Sequence, residues 1–235
     1  MCLCTVGADG GFFVRKWFLG FCFLLFFNVQ TAGYLRENVS LEELKEAGIP
    51  VEDFCKAGVE REEMDLYLTF WEDLVCFPAA GSCGEADSGF FFENTWKEER
   101  NYGGNRVHEG CDIFGEKSVS GYYPVVSMTA GVVEKIGWLP LGGWRIGIRS
   151  PGGGYFYYAH LSSYGAEFQE GDSVKAGEVL GFLGDSGYGE EGTTGKFPPH
   201  LHLGIYVRTE KTEEYALNPY PVLEFLQEEQ KNFFY

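Results

Sequence analysis

Hydrophobic and polar positions along the 235-residue chain fall into three regimes. An unbroken apolar stretch from Trp17 to Phe27 comes first, a helical period follows, and past Phe90 the pattern shortens to runs of strand length parted by glycine. In the middle regime Ser40-Leu41-Glu42-Glu43 has the spacing of a capping box, in which the serine hydroxyl and the third-position carboxylate satisfy free amide donors reciprocally. A helix is predicted to start there and to end near Gly48-Ile49-Pro50. A second helical pattern, Val59 to Val75, sets Met64, Tyr67, Leu68, Trp71 and Val75 on one side. The third regime predicts strands at Pro124 to Val133, Trp144 to Arg149, Gly154 to Ala159, Val179 to Leu183 and His200 to Val207. The expected fold class is mainly β: an antiparallel, sandwich-like sheet domain preceded by a small α-helical region. Asn218-Pro219-Tyr220-Pro221 reads as a turn closing one edge, with a short helix through Gln227 after it.

These regimes divide the chain into residues 1–33, an acidic helical region at 34–76, a Pro/Ala/Gly/Ser-rich linker at 77–89, a β domain at 90–227 and a tail at 228–235. Arg15 and Lys16 precede the apolar stretch and small residues follow it, and the stretch is shorter than the ~20 residues a spanning helix needs. Residues 1–33 therefore read as a signal peptide or a membrane anchor, with membrane attachment through residues 15–35. In either case the basic flank stays cytoplasmic and the rest is exported, to the cell wall or the outer face of the membrane. The helical region reads as a packing appendage or as a propeptide that covers a groove.

Composition sharpens the picture in two places. Thirty-three glycines and 17% aromatic residues suit a turn-rich β protein. The formal net charge of −17 argues against a nucleic-acid partner, whose phosphates need a basic footprint. Of the seven cysteines, only Cys55, Cys76, Cys83 and Cys111 follow the first 33 residues. Cys76 and Cys83 bracket a short loop and could pair outside the cell, although spacing does not establish connectivity. The absence of a Cys-x-x-Cys pair argues against a structural cysteine-zinc site. A monomer is expected.

The chemistry is concentrated in the histidines. All four fall in three short motifs: His108-Glu109-Gly110-Cys111-Asp112, Tyr158-Ala159-His160-Leu161-Ser162 and His200-Leu201-His202. On a strand, alternate residues point to opposite faces. His200 and His202 therefore share one face, and Leu201, Leu203, Ile205 and Val207 share the other. The same parity groups His108, Gly110 and Asp112 if that segment is extended, with Glu109 and Cys111 facing away. Imidazole and carboxylate are both zinc donors, and three protein ligands leave a fourth position open. A His-Glu-x-x-His helix is excluded, because position 112 is aspartate and the flanking glycines oppose helix. Cys111 reads as a small buried hydrophobe.

Taken together and in order, a His-x-x-x-Asp motif, a lone histidine on a later strand and a terminal His-x-His are similar to the pattern of the lysostaphin-type, LytM-like zinc endopeptidases. Those enzymes cut the peptide part of bacterial peptidoglycan, and the resemblance covers roughly residues 89–225. It implies an exported zinc metalloendopeptidase in which His108, Asp112 and His202 hold Zn2+ and His160 and His200 act on the reaction, with a peptidoglycan peptide as substrate. Two departures stand out: Cys111 before the motif aspartate, and a charged loop from Trp96 to Asn105. Tyr102, Tyr122, Trp138, Trp144 and Tyr206 are candidate groove aromatics, each with core packing as its competing role. The alternative function is a noncatalytic wall-binding or morphogenesis protein, in division or sporulation, that uses the same groove. A likeness of residues 171–181 to carrier-domain hairpins fails because Met128 is followed by Thr129-Ala130 and not by lysine.

Overall fold

A computed structural model describes residues 39–81, 89–100 and 104–232; the predicted export segment, Cys83 and Tyr102 lie outside the described residues. The capping box forms as predicted and opens α1 (Leu41–Glu46). Ser40 N donates to Glu43 Oε2 at 2.8 Å, and Glu43 N donates to Ser40 Oγ at 3.2 Å. Gly48, at φ 85, then turns the chain into α2 (Val51–Lys56), a helix that falls between the two predicted ones and is not itself predicted.

The helix predicted over Val59 to Val75 is shorter and broken: α3 (Arg61–Tyr67) is followed by a single 3-10 turn at Trp71–Asp73. Tertiary contacts override its period. Leu74 is extended, at ψ 128, and Val75 N donates to Met128 O at 2.9 Å. Val75 is consequently 66% exposed, whereas Met64 and Tyr67 are fully buried.

The strands are β1 (Phe90–Phe92), β2 (Glu99–Arg100), β3 (Arg106–Val107), β4 (Cys111–Gly115), β5 (Pro124–Val126), β6 (Gly131–Leu139), β7 (Gly143–Arg149), β8 (Tyr155–Leu161), β9 (Ser163–Tyr164), β10 (Ser173–Val174), β11 (Val179–Phe182), β12 (Leu201–Val207) and β13 (Tyr215–Leu217). Among the described residues they form an antiparallel main sheet in the order β1-β4-β12-β8-β7-β6-β10, with β13 beside β12. A three-stranded sheet β5-β11-β9 and a separate β2-β3 ribbon complete the set. The single strand predicted over 124–133 splits in two at Ser127, whose hydroxyl donates to Thr129 O at 2.8 Å and stabilises a turn.

Helices and sheet share one hydrophobic core. Phe70 of the helical region meets Phe156 of β8 edge-on at 5.4 Å, and Trp71 meets Phe225 of α4 (Tyr220–Asn232) at 5.0 Å. Two glycines of the β7–β8 turn permit this docking: a Cβ on Gly152 would sit 2.0 Å from Thr69 O, and one on Gly154 would sit 2.6 Å from Phe70 Cβ. The α4 helix also runs past the predicted end at Gln227 into the predicted tail.

The described part of the predicted linker is packed, not a free tether. Phe77 and Ala79 are each 1% exposed, and Ala79 pairs with Val125 of β5. Phe77 is held between Phe90 and Phe92 at 5.8 and 5.9 Å, so its ring belongs to the core in spite of the Pro/Ala/Gly-rich neighbourhood.

Candidate metal centre and groove

The site is built on the register of the two central strands. Asp112 of β4 and His202 of β12 are directly opposed, so their side chains rise together from one face of the sheet. Parity holds on the other face, where Cys111, Ile113, Leu201 and Leu203 are at most 1% exposed. The Cys111 thiol donates to Glu93 O at 3.5 Å, and burial pushes its pKa well up, away from any ligand role at the site.

His108 arrives by a different route from the one parity assumed. Residues 108–110 are not strand; His108 instead extends the β2–β3 ribbon, through His108 N to Glu98 O at 2.8 Å and Lys97 N to His108 O at 2.9 Å. Its Nε2 nonetheless ends 3.1 Å from Asp112 Oδ1 and 3.1 Å from His202 Nδ1, and those two atoms are 2.9 Å apart. Gly110 allows this convergence, because a Cβ there would sit 2.4 Å from Cε1 of the His202 ring.

His160 and His200 flank the cluster. His160 lies where the β7–β8 pairing shifts register, in a left-handed conformation at φ 62. Bulges of this kind re-aim side chains next to sites. Its Nδ1 is 2.8 Å from Ser186 O, and Nδ1 of His200 is 2.8 Å from Pro198 O. Each backbone carbonyl can only accept, so the proton sits on Nδ1 and Nε2 keeps its lone pair. The two rings are 4.8 Å apart, and His200 Nε2 lies 3.7 Å from Asp112 Oδ1.

Electrostatics follow from burial. Burial first, then the neighbouring His200 and His202, pushes the pKa of His160 down to about 3. Burial likewise lowers His108 and His200. For Asp112 burial acts upward, but its contacts with His108 and His202 outweigh it and hold the carboxylate well below its usual range. At neutral pH His108, His160 and His200 are therefore neutral imidazoles beside the ionised carboxylate of Asp112.

All five predicted site residues line one cavity of about 290 Å³. The structure adds residues that the sequence reading missed. Arg100 Nη2 lies 3.0 Å from Asp112 Oδ2 and 2.7 Å from His108 Nδ1. A proton on that Nδ1 has Thr95 Oγ1 at 2.8 Å as its acceptor, and the guanidinium, which only donates, then serves Asp112 Oδ2.

The groove aromatics also differ from expectation. Tyr157, Tyr188, Phe197 and Phe114 line the cavity, and Tyr206 lines the adjoining one, whereas Tyr122, Trp138 and Trp144 line neither of these two. Trp144 packs against Trp138 and Tyr164, and Tyr122 against Tyr123.

Comparison with known proteins places this geometry. Residues 106–218 match peptidase family M23. The crystal structure of a lytM protein of Ruminococcus gnavus, named for glycyl-glycine endopeptidase, aligns with a TM-score of 0.63 at 52% identity over 74% of this chain and 70% of that one. The chain belongs to peptidase family M23. Among its M23 relatives, the L-Ala–D-Glu endopeptidase of Bacillus subtilis (strain 168) is 46% identical over 134 residues, 57% of this chain and 40% of the relative. Lysostaphin of Staphylococcus simulans is 31% identical over 138 residues, 55% of this chain and 25% of the relative. The chain thus spans less than half the length of both curated relatives.

M23 peptidases are zinc-dependent peptidoglycan endopeptidases. The donor set here fits that ion. Donors bonded to one tetrahedral zinc at ~2.0–2.1 Å lie roughly 3.3 Å from one another. Donor atoms of His108, Asp112 and His202 all lie within 4.8 Å of one another, and the nitrogen and oxygen atoms nearest the centre are 2.9–3.1 Å apart.

Proposed function

We propose that this M23 chain is an exported zinc metalloendopeptidase that hydrolyses peptide bonds in the stem peptides or cross-bridges of bacterial peptidoglycan. In this reading His108 Nε2, Asp112 Oδ1 and His202 Nδ1 hold the zinc, and His160 and His200 act on the reacting atoms. The observation that carries it is the pair of buried imidazoles beside the His-Asp-His cluster, each with Nδ1 committed to a backbone carbonyl and Nε2 left as a proton acceptor.

When bound, zinc supplies Lewis-acid activation of the attacking water and of the scissile carbonyl. The rest falls to the chain. His160 and His200, neutral at pH 7, between them take the proton of the attacking water and return one to the departing amine, or stabilise the developing oxyanion. Asp112 keeps a negative charge at the centre, and Arg100 steadies its outer oxygen. Both stem-peptide and glycyl-bridge cleavage are in question, since relatives carry each name. Export is supported by the basic Arg15-Lys16 flank and the apolar stretch that follows it.

The test is His160→Ala in the full chain. Zinc should remain at about one per chain, while muropeptide release, followed by mass spectrometry, falls by roughly 10²–10⁴-fold. A folded, zinc-loaded wild-type protein that leaves several wall chemotypes uncut would instead identify a noncatalytic wall binder.

A further inference from the structure

The wall of the His-Asp-His cavity differs in charge from the molecule around it, with two arginines to one carboxylate. A chain of formal net charge −17 places two arginines, Arg100 and Arg106, in the wall of the His-Asp-His cavity. The same two line an adjoining cavity of about 730 Å³ that runs past His202 to Tyr206 and whose wall also includes Glu99 and Glu109. They are directly opposed partners on the β2–β3 ribbon, whose other pair is Glu99 with Val107. Like charges set opposite each other destabilise a ladder, and Asp112, 3.0 Å from Arg100, offsets part of that cost.

The two guanidiniums lean in different directions. Arg100 Nη2 reaches Asp112 Oδ2 at 3.0 Å, while its Nε is buried with no hydrogen-bond partner among the described residues. Arg106, half-buried, donates through Nη2 to Tyr188 Oη at 3.1 Å and so spans the mouth of the groove to the opposite wall. A carboxylate answers both features. It offsets the repulsion between the cations, and its two coplanar oxygens match the N–H forks of guanidinium. A glycyl bridge, uncharged along its length, offers neither.

We infer that Arg100 and Arg106 form a carboxylate subsite, so that the bond cut lies beside an acidic residue of the stem peptide and not within a neutral glycyl bridge. This rests on the hydrolytic reading above. Arg106 determines specificity, and Arg100 is shared between Asp112 and the substrate carboxylate.

The test uses the full-length, zinc-loaded protein and three probes: an alanyl-glutamyl stem peptide with its free carboxylate, the same peptide with that group amidated, and pentaglycine. Wild type should favour the acid over the amide by about tenfold or more in kcat/KM, mainly through KM, and should leave pentaglycine as the poorest substrate. Arg106→Gln should bring the acid-to-amide ratio toward one at unchanged zinc content, and Arg106→Lys, with charge but no fork, should keep part of it. Calorimetric binding of the same peptides to zinc-loaded His160→Ala reads the preference without turnover. Equal treatment of acid and amide in both measurements, a preference for pentaglycine, or a preference that survives in Arg106→Gln overturns the inference. A binding preference for the acid with none of the probes cleaved overturns the hydrolytic reading and leaves the subsite standing.

Discussion

Gly110 shows how closely single residues set this centre. A Cβ there would also meet Leu203 O at 2.7 Å, so neither the ring of His202 nor the backbone of β12 leaves room for alanine. Gly110→Ala should therefore keep the sheet but displace His202, weakening zinc affinity by about tenfold or more. Chelator competition, with circular dichroism as the folding control, measures it. The five candidate site residues were legible because strand parity and motif order are written locally, in steps of two residues. Arg100 and Arg106 were not. Their meaning depends on pairing across a ribbon with two residues per strand, too short to leave a period, and the sequence shows only a charged loop.

At the scale of elements, the β6–β7 pairing shifts register at Glu134, and Arg149 clamps that carboxylate with Nε to Oε2 at 2.6 Å and Nη2 to Oε1 at 2.7 Å. The Arg149 contact holds the Glu134 pKa below its ordinary value. A depressed carboxylate contributes stability that is fully present above its unfolded value of about 4.3 and is lost as pH falls through the folded value. The pair is partly exposed, so Glu134→Gln should cost only about 0.5–1 kcal/mol at pH 7. Urea denaturation should find that difference shrinking toward zero as pH falls below about 4. Elements were legible where their signals are self-contained, as with the capping box at Ser40 or the aliphatic face of β12. They were misread where a distant strand decides: Val75 leaves its helical stripe to pair with Met128, and Phe77 enters the core from a stretch of linker composition.

Across the whole molecule, the candidate ligands come from residues 108, 112 and 202, so an ion held by them joins the β2–β3 ribbon to the two central strands. An ion that binds only the folded chain stabilises it by mass action, roughly 2.7 kcal/mol at a hundredfold excess over Kd. Removing zinc with a chelator should lower the melting temperature by several degrees, and the loss should reverse on adding zinc back; scanning calorimetry checks both.

The left-handed backbone of His160 has a different consequence for the same balance. A side chain there costs about 1 kcal/mol or more relative to glycine. His160→Gly should therefore be more stable than His160→Ala by about 1 kcal/mol, the reverse of the usual order within a strand; urea midpoints for the two variants decide it. On the proposed hydrolytic reading, position 160 is where endurance and chemistry conflict. If that reading holds, a library screened for heat resistance alone would favour glycine over every other replacement of this histidine, and such survivors would be folded but inert.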